Sequence, residues 1–383
     1  MKQTISIILS VCLCVFIASG AVSFVDDSLQ LLFGLRFLML LSGILSFVSF
    51  LLALLVYVLM GLTPMVPKRV FAPVALFFLA GVLFMCPALI YGGGDWVRRG
   101  VVTDWVISLC QLLLGLGIFC RVRGGWKFRW PVVDDKYLGT RPFSWLNLGG
   151  FVLANIFVLL PAVAVYLAVC AALAVNHFTA GFLTLRPSGL TAHVRQYARN
   201  DGKTIELVPM MHIADADFYQ KISQSFPTNS IVLMEGVSDE KHLLTNGISY
   251  KRAARSLGLV EQVKTFKPQG ETVRADIDVD QFSTNTINLL NLVMLFHTKG
   301  LSDPSAMTAL ATYSPPPNVE QELFDDLLKK RNHHLLETLQ SELPQSNILI
   351  VPWGAAHMPA IAKAIEEEGF HLVKTKEYTV IPF

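Results

Sequence analysis

The chain has no histidine before His177 and no cysteine after Cys170, so these two residue types divide its 383 residues without overlap. Charged residues make up only 16% of the chain and hydrophobic residues 53%, which excludes an average soluble protein. The second half cannot contain a disulfide, and a net charge of +2 is too small to indicate nucleic acid as a partner. The sequence also lacks a glycine-rich loop of the kind that cradles phosphates.

The hydrophobic residues concentrate in long runs before about residue 177. A helix needs roughly 20 apolar residues to cross a hydrocarbon core of about 30 Å. Five runs meet that length: about 5–25, 37–62, 70–91, 101–120 and 148–175. We therefore expect an all-α transmembrane region over residues 1–176 and one soluble domain over residues 177–383. A cleaved signal peptide is an alternative interpretation of the first run, because small residues follow it near residues 18–21.

The basic residues of the loops predict an orientation. Lys2, the pair at 68–69 and the basic stretch 121–141 favour a cytoplasmic side, whereas the pair at 98–99 is an exception. Five spans with a cytoplasmic N-terminus leave the soluble domain outside the cytoplasm. We expect an integral protein of the bacterial inner membrane. Its first half anchors the domain in the lipid bilayer, since no inverted repeat indicates a transporter.

The second half alternates strand-like and helix-like patterns. Residues 190–198 and 203–211 flank the turn signal Asn-Asp-Gly and predict a hairpin. The apolar runs 231–234 and 347–353 are typical of central buried strands, and amphipathic segments between them predict helices. The pattern therefore predicts an α/β domain with a central mixed β-sheet flanked by helices.

Three apolar runs each lead into a side chain that can bind a metal. These side chains are His212, Glu235 and His357. In open α/β sheets, ligands collect beyond the carboxyl ends of the strands, so neighbouring strands would bring the three together. Two imidazoles and one carboxylate are a workable ligand set for a divalent metal with an open position for water. Such a metal activates water for the hydrolysis of an amide or ester.

The same residues belong to short motifs that resemble the TraB/GumN/TIKI family, within the wider ChaN and erythromycin-esterase-like superfamily. That family is marked by two Gly-x-x-His motifs, an intervening glutamate and a downstream arginine. Residues 354–357 match the second motif in full, whereas the first is matched only at His212, with Pro209 in place of glycine. Further matches are Glu235, residues 275–278 and the pair Arg331–Asn332. The resemblance covers about residues 188–383.

The resemblance implies a membrane-anchored, metal-dependent, peptidase-like hydrolase acting on a peptide or protein. His212, Glu235 and His357 would bind Mn, Co or Zn, and Glu235 would be a ligand or the general base. Relatives in the superfamily leave two alternatives open. One is hydrolysis without a metal, in which a histidine is the base. The other is a non-enzymatic membrane module that binds haem or another ligand, or assists assembly.

Four further residues are weaker candidates. Arg331 is predicted to orient substrate or stabilise developing negative charge, with a surface ion pair as the alternative. Tyr219 is a candidate hydroxyl donor to the substrate. Asp276 and Asp278 lie on opposite sides of an extended stretch, so we expect one of them to reach the site, either at the substrate or as a hydrogen-bond partner of an imidazole. The basic run 329–331 is too short to indicate nucleic acid.

Overall fold

The computed structural model describes residues 1–91, 96–245, 250–300, 303–313, 316 and 318–383. These residues form two compact units, Met1–Ala171 and Ala172–Phe383. The boundary expected near residue 176 falls inside a helix that ends at Phe178. Each unit has its own hydrophobic core, and each is described separately below.

The first unit is helical. Its helices are α1 (Lys2–Phe33), α2 (Met39–Leu62), α3 (Lys68–Tyr91), α4 (Trp96–Arg123), α5 (Trp145–Ala154) and α6 (Leu160–Phe178), the last of which continues into the second unit. A π-helical turn, Asn155–Leu159, joins α5 to α6, so the two form one continuous segment. Among the described residues, five helical segments are long and apolar enough to cross a membrane, and they coincide with the five apolar runs of the sequence.

Helix α1 is the centre of this bundle. It packs against α2 and α4, and α3 packs on the same two helices. Leu9, Leu13 and Phe16 are fully buried on α1. At Gly20 the backbone of α4 comes so close that an added Cβ would lie 2.9 Å from the amide nitrogen of Leu112. Small residues allow this close approach of apolar helices, whose association depends on van der Waals packing.

The second unit alternates strands and helices, as the sequence predicts. Its strands are β1 (Leu183–Arg186), β2 (Gly189–Ala198), β3 (Thr204–Met210), β4 (Ile213–Ala214), β5 (Ile231–Met234), β6 (Val260–Glu261), β7 (Glu271–Arg274), β8 (Ile348–Gly354) and β9 (His371–Pro382). Its helices are α7 (Ala216–Ser225), α8 (Lys251–Ser256), α9 (Gln262–Thr265), α10 (Thr284–Lys299), α11 (Pro304–Thr312), α12 (Val319–Phe324), α13 (Arg331–Glu342) and α14 (Met358–Glu367). The sequence pattern does not predict strands β1, β4, β6 and β7 or helices α9 and α11.

Seven strands form a mixed sheet in the order β1-β2-β3-β8-β5-β7, with β9 paired to β2. Strands β3, β8, β5 and β7 are mutually parallel, whereas β2 is antiparallel to β1, β3 and β9. The predicted central mixed sheet is confirmed. The carboxyl ends of the four parallel strands lie at one edge, which is where open α/β sheets bind ligands.

Helices cover both faces of this sheet. On one face, Leu335 and Leu339 of α13 and Ile361 of α14 pack into the main core. On the other face, Phe218 and Ile222 of α7 form a second core. Alternate residues of the central strands enter the two cores, as the period of two in a strand requires. Helix α13 lies on the same face of the sheet as α14. It begins at the carboxyl edge of the sheet, because its first residue, Arg331, bonds to Glu235 and Asp276.

Candidate active site

Four polar residues follow the carboxyl ends of the four parallel strands. His212 follows β3, His357 follows β8, Glu235 follows β5 and Asp276 follows β7, each within three residues of the strand end. Because the strands are neighbours in that order, His357 lies between His212 and Glu235 along the edge. The fifth member is Arg331, the first residue of α13.

Arg331 is the hub of this cluster. Its Nε donates to Asp276 Oδ1 at 3.0 Å and its Nη2 to Asp276 Oδ2 at 2.7 Å, a bidentate pair. The same Nη2 donates to Glu235 Oε1 at 2.8 Å. The remaining nitrogen, Nη1, makes only long contacts, 3.3 Å to His357 Nε2 and 3.5 Å to the Leu327 carbonyl. The donors with short bonds hold the guanidinium, and Nη1 is the least committed of its nitrogens.

His357 is a buried histidine with a defined tautomer. Its side chain is 5% exposed. Its Nδ1 lies 2.7 Å from Asn332 Oδ1, which can only accept, so Nδ1 carries the proton and Nε2 keeps a lone pair. Burial, followed by the positive charge of Arg331, lowers the pKa of His357 to about 4. The imidazole is therefore neutral at pH 7, and its free lone pair faces Arg331.

Glu235 connects Arg331 to strand β8. Its Oε2 accepts from the backbone N–H of Gly354 at 2.6 Å, and its Oε1 lies 3.7 Å from His357 Nε2. The side chain is 12% exposed. Gly354 has a φ outside the left-handed region, so its contribution here is this N–H and not an unusual turn.

Trp353 forms the apolar wall of the site. It is fully buried, and its indole N–H donates to the Leu233 carbonyl at 3.0 Å. Its ring meets His357 edge-on with centroids 5.2 Å apart, and Arg331 Cζ lies 5.4 Å from the ring centroid. This wall excludes water from the imidazole, which is the main cause of its low pKa.

His212 lies at the exposed border of the cluster. Its ring stacks on Tyr250, with centroids 5.0 Å apart and planes 11° apart. The charge of His212 is felt at His357, and that of Glu235 at Tyr250, so both rings lie within electrostatic reach of the buried groups. Among the described residues, however, no hydrogen bond or ion pair joins His212 to His357 or Glu235.

Asp276 reaches the cluster, whereas Asp278 and Tyr219 do not. The Asp276 carboxylate binds Arg331 and accepts from the backbone N–H groups of Gly236 and Ile277, both at 2.9 Å. Asp278 points elsewhere, where the N–H groups of Asp280 and Glu240 hold its pKa down at about 2. Tyr219 is fully buried in the opposite core.

The burial of Tyr219 has a structural cause. The residue lies on α7, whose apolar face packs against the sheet, and its hydroxyl donates to the Met211 carbonyl at 2.6 Å. Burial also raises the pKa of this hydroxyl. A fully buried hydroxyl with a backbone partner has no free access to a substrate, so Tyr219 is a core residue of the domain.

Two of the three residues predicted to bind a divalent metal, Glu235 and His357, contact Arg331 in this arrangement. Both oxygens of Glu235 accept hydrogen bonds, from Arg331 and from Gly354. The guanidinium lies 3.3 Å from His357 Nε2, the atom that a metal would need. Arg331 therefore supplies the positive charge that the carboxylates require. Within the described ranges, no group of three or more His, Cys, Asp or Glu side chains is arranged to hold a metal ion.

Asn332 and Trp353 belong to the site although neither is among the residues predicted to act there. Asn332 was noted only as half of the pair Arg331–Asn332, yet it fixes the tautomer of His357. The available signal was its position beside Arg331, combined with the polar requirement of a buried histidine. A π-helical segment, Asp325–Lys330, precedes both residues and sets their direction, and π turns of this kind are frequent at functional sites.

Comparison with known proteins adds no relative to this picture. No protein-family model, no curated protein and no solved structure matches the chain.

Proposed function

We propose that the C-terminal domain is a hydrolase of amide or ester bonds with a peptide-like substrate, and that His357 is its general base. The observation that carries this proposal is the arrangement at His357. The imidazole is neutral, one nitrogen is bonded to Asn332, and the other faces a guanidinium held by two carboxylates. Groups with perturbed pKa values at the carboxyl edge of a sheet are candidates for catalysis.

In the proposed reaction a water molecule beside His357 Nε2 gives its proton to that nitrogen and attacks the carbonyl carbon of the substrate. The 3.3 Å contact from Arg331 to Nε2 is long for a hydrogen bond, so water can compete for the lone pair. Glu235 Oε1, 3.7 Å away, stabilises the imidazolium that forms. The imidazolium then returns the proton to the leaving amine or alcohol as the C–N or C–O bond breaks.

Arg331 stabilises the oxygen that gains negative charge. Its two Nη1 contacts are the long ones, and they can exchange for a hydrogen bond to the substrate oxygen. The carboxylates of Glu235 and Asp276 keep the guanidinium fixed, so the donor is already oriented when charge develops. Such preorganised donors contribute most to acyl transfer when water is excluded, as it is beside Trp353.

The location of the protein and the side from which a substrate reaches His357 follow from the same observations. The five apolar helices anchor the protein in the bacterial inner membrane, and the loop charges favour an extracytoplasmic C-terminal domain. Substrates are then envelope or extracellular peptides or proteins. They approach the border formed by His212 and Tyr250, since the opposite side of His357 is closed by Trp353.

Metal-dependent hydrolysis is the second candidate. The observation in its favour is His212, an exposed imidazole within electrostatic reach of His357 at the position of the first histidine motif. His212, Glu235 and His357 would hold Mn, Co or Zn if Arg331 left its present contacts. The two candidates use the same edge of the sheet and differ in whether a chelator abolishes activity.

The test is hydrolysis by the full-length protein in detergent or nanodiscs. The substrates are a peptide library, read by mass spectrometry, and a panel of p-nitrophenyl esters. We expect His357→Gln to lower the rate by roughly a hundredfold or more. The rate of the wild type should rise with pH through about 4 and then stay level, because only neutral His357 accepts a proton. His333→Gln, an exposed histidine on α13, is the matched control.

Each possible result of this experiment supports a different function for the site. Activity that survives exhaustive chelation and disappears in His357→Gln supports the first candidate. Activity that requires added Mn²⁺, Co²⁺ or Zn²⁺ supports the second. A folded protein that hydrolyses neither library, but develops a visible absorbance band with haem, overturns both in favour of a non-enzymatic binding module.

A further inference from the structure

A partly open cavity with both polar and apolar walls lies between the helices of the first unit. Its volume is about 320 Å³, and all of the first four helices contribute to its wall. The polar lining residues are Ser23 and Asp27 of α1, Ser42 and Ser46 of α2, and Asp104, Ser108 and Gln111 of α4. Seven polar groups therefore meet around one space in otherwise apolar helices, where polar residues are rare and often functional.

The hydroxyl groups of the cavity form two separate hydrogen-bonded groups. Ser23 Oγ lies 2.9 Å from Ser42 Oγ and 3.4 Å from Ser46 Oγ, and so links α1 to α2. Ser108 donates to Asp27 Oδ2 at 2.8 Å and links α4 to α1. Gln111 uses its N–H to bond the Phe16 carbonyl at 3.0 Å, which leaves its acceptor oxygen available.

The two carboxylates of the cavity have unused acceptor capacity. Asp27 Oδ1 and both oxygens of Asp104 accept no hydrogen bond from any residue that the structure describes. Among the side chains that the structure describes, no lysine or arginine lines the cavity. Arg36 is within electrostatic reach of both carboxylates, but no ion pair joins it to either of them among the described residues. Two carboxyl groups therefore line the cavity, and no basic side chain among the described residues pairs with them.

The remaining wall is apolar and aromatic. It comes mainly from α3, which contributes Phe77, Phe78, Val82 and Met85, and Ile107 of α4 completes it. The two phenyl rings are edge-on to each other with centroids 5.9 Å apart, so they form a fixed surface. Aromatic faces attract ammonium ions, and apolar side chains accept the alkyl arms of such ions.

We propose that this cavity binds a small organic cation of the alkylammonium class. Its ammonium group lies between Asp27 and Asp104, and its alkyl arms lie against Phe77 and Phe78. A bare metal ion would leave most of a 320 Å³ space to water and would make no use of the α3 wall. An organic cation satisfies the carboxylates and the apolar wall together. This proposal is independent of the hydrolase proposal, because it concerns only residues of the first unit.

The test uses the full-length protein in nanodiscs and choline as the probe. Binding is measured by equilibrium dialysis of labelled choline, and the competitors are 3,3-dimethylbutan-1-ol, its uncharged isostere, and Mg²⁺. We expect saturable choline binding and no competition by either. Asp27→Asn and Asp104→Asn should each weaken binding roughly tenfold, about 1.4 kcal/mol. Asp135→Asn, an exposed carboxylate in the loop after α4, is the matched control and should bind choline as the wild type does.

Asp104→Asn protects the test against misfolding, because Asp104 is exposed and has no hydrogen bond to lose among the residues that the structure describes. The proposal is overturned if choline does not bind saturably, if the alcohol competes equally well, or if Mg²⁺ displaces choline in full. Unchanged affinity in Asp104→Asn also overturns it.

Discussion

The two compact units differ in whether a basic side chain pairs with their carboxylates in the described part of the chain. In the C-terminal domain, Glu235 and Asp276 share the guanidinium of Arg331, with side chains that are 12% and 0% exposed. In the helix bundle, Asp27 and Asp104 line a cavity in which no described residue supplies a basic side chain. The first arrangement is neutralised by the chain itself, and the proposed organic cation would neutralise the second.

The difference shows how the same residue type acquires different roles. A carboxylate in an apolar setting needs a partner, and the position of the nearest cation decides which partner that is. Where the chain supplies the cation, the cluster becomes rigid and can orient a reacting histidine. Where the chain supplies none, the carboxylates can select a ligand by charge.

The largest effect is expected from removing Arg331, whose positive charge neutralises Glu235 and Asp276. Arg331→Met leaves Glu235 and Asp276 without their cation, so we expect the C-terminal domain to lose about 3–5 kcal/mol of stability. Hydrogen exchange of β8 peptides in the full-length protein measures the loss. The control is Arg186→Met, which breaks an exposed pair with Glu377 and should cost less than about 1 kcal/mol. Equal effects of the two variants would show that the cluster is not held by Arg331.

The next effect is the pH dependence of the same domain. The unfolded chain binds a proton at His357 with a pKa of 6.5, whereas the folded domain does so only at about 4. The contribution of His357 to the free energy of unfolding is therefore complete above pH 6.5. It falls by about 3 kcal/mol as the pH drops toward 4.

The measurement is unfolding as a function of pH in the wild type and in His357→Gln. Burial also lowers the pKa of His193, so the difference between the two proteins isolates His357. Parallel pH profiles would contradict a neutral, buried His357.

A smaller effect tests the packing that encloses the cavity. Gly20→Ala would bring a Cβ to 2.9 Å from the backbone of Leu112, and backbone cannot move aside locally. We expect a loss of about 1–3 kcal/mol in the stability of the bundle. Gly117→Ala on α4 meets nothing within 4 Å and should be neutral or slightly stabilising. Thermal unfolding in detergent distinguishes the two, and similar melting temperatures would argue against close contact of α1 and α4.

The smallest effect concerns the unneutralised carboxylate. Asp104→Asn removes a charge that has no hydrogen bond among the described residues, so stability should change by no more than about 0.5 kcal/mol. The two units should therefore differ most clearly in the stability lost on Asp104→Asn and on Arg331→Met. A large loss on Asp104→Asn, in the same unfolding experiment, would mean that the carboxylate has a structural partner.

The ends of the central strands could be predicted from the sequence, whereas the contacts among the residues that follow them could not. Apolar runs that lead into His212, Glu235 and His357 were enough to predict three strand ends, because buried parallel strands are continuous apolar segments. The order of those strands was not readable, since β8 inserts between β3 and β5 from more than a hundred residues away.

The hydrogen-bond partners of the site residues could not be predicted, because they depend on how the helices pack against the sheet. Arg331 reaches Asp276 and Glu235 only because α13 begins at the carboxyl edge after a π-helical segment. Two imidazoles and a carboxylate indicate a metal by residue type alone. The position of one helix puts a guanidinium among them, and no periodicity in the sequence encodes that position.

The metal content of the purified full-length protein tests the central claim most directly. The claim is that Arg331 supplies the cation of the site. Elemental analysis of the wild type and of His357→Gln, after equilibration with Mn²⁺, Co²⁺ and Zn²⁺ and removal of free ions, requires no substrate. We predict far less than one metal ion per chain in both proteins. One ion per chain in the wild type, lost in His357→Gln, would contradict the account.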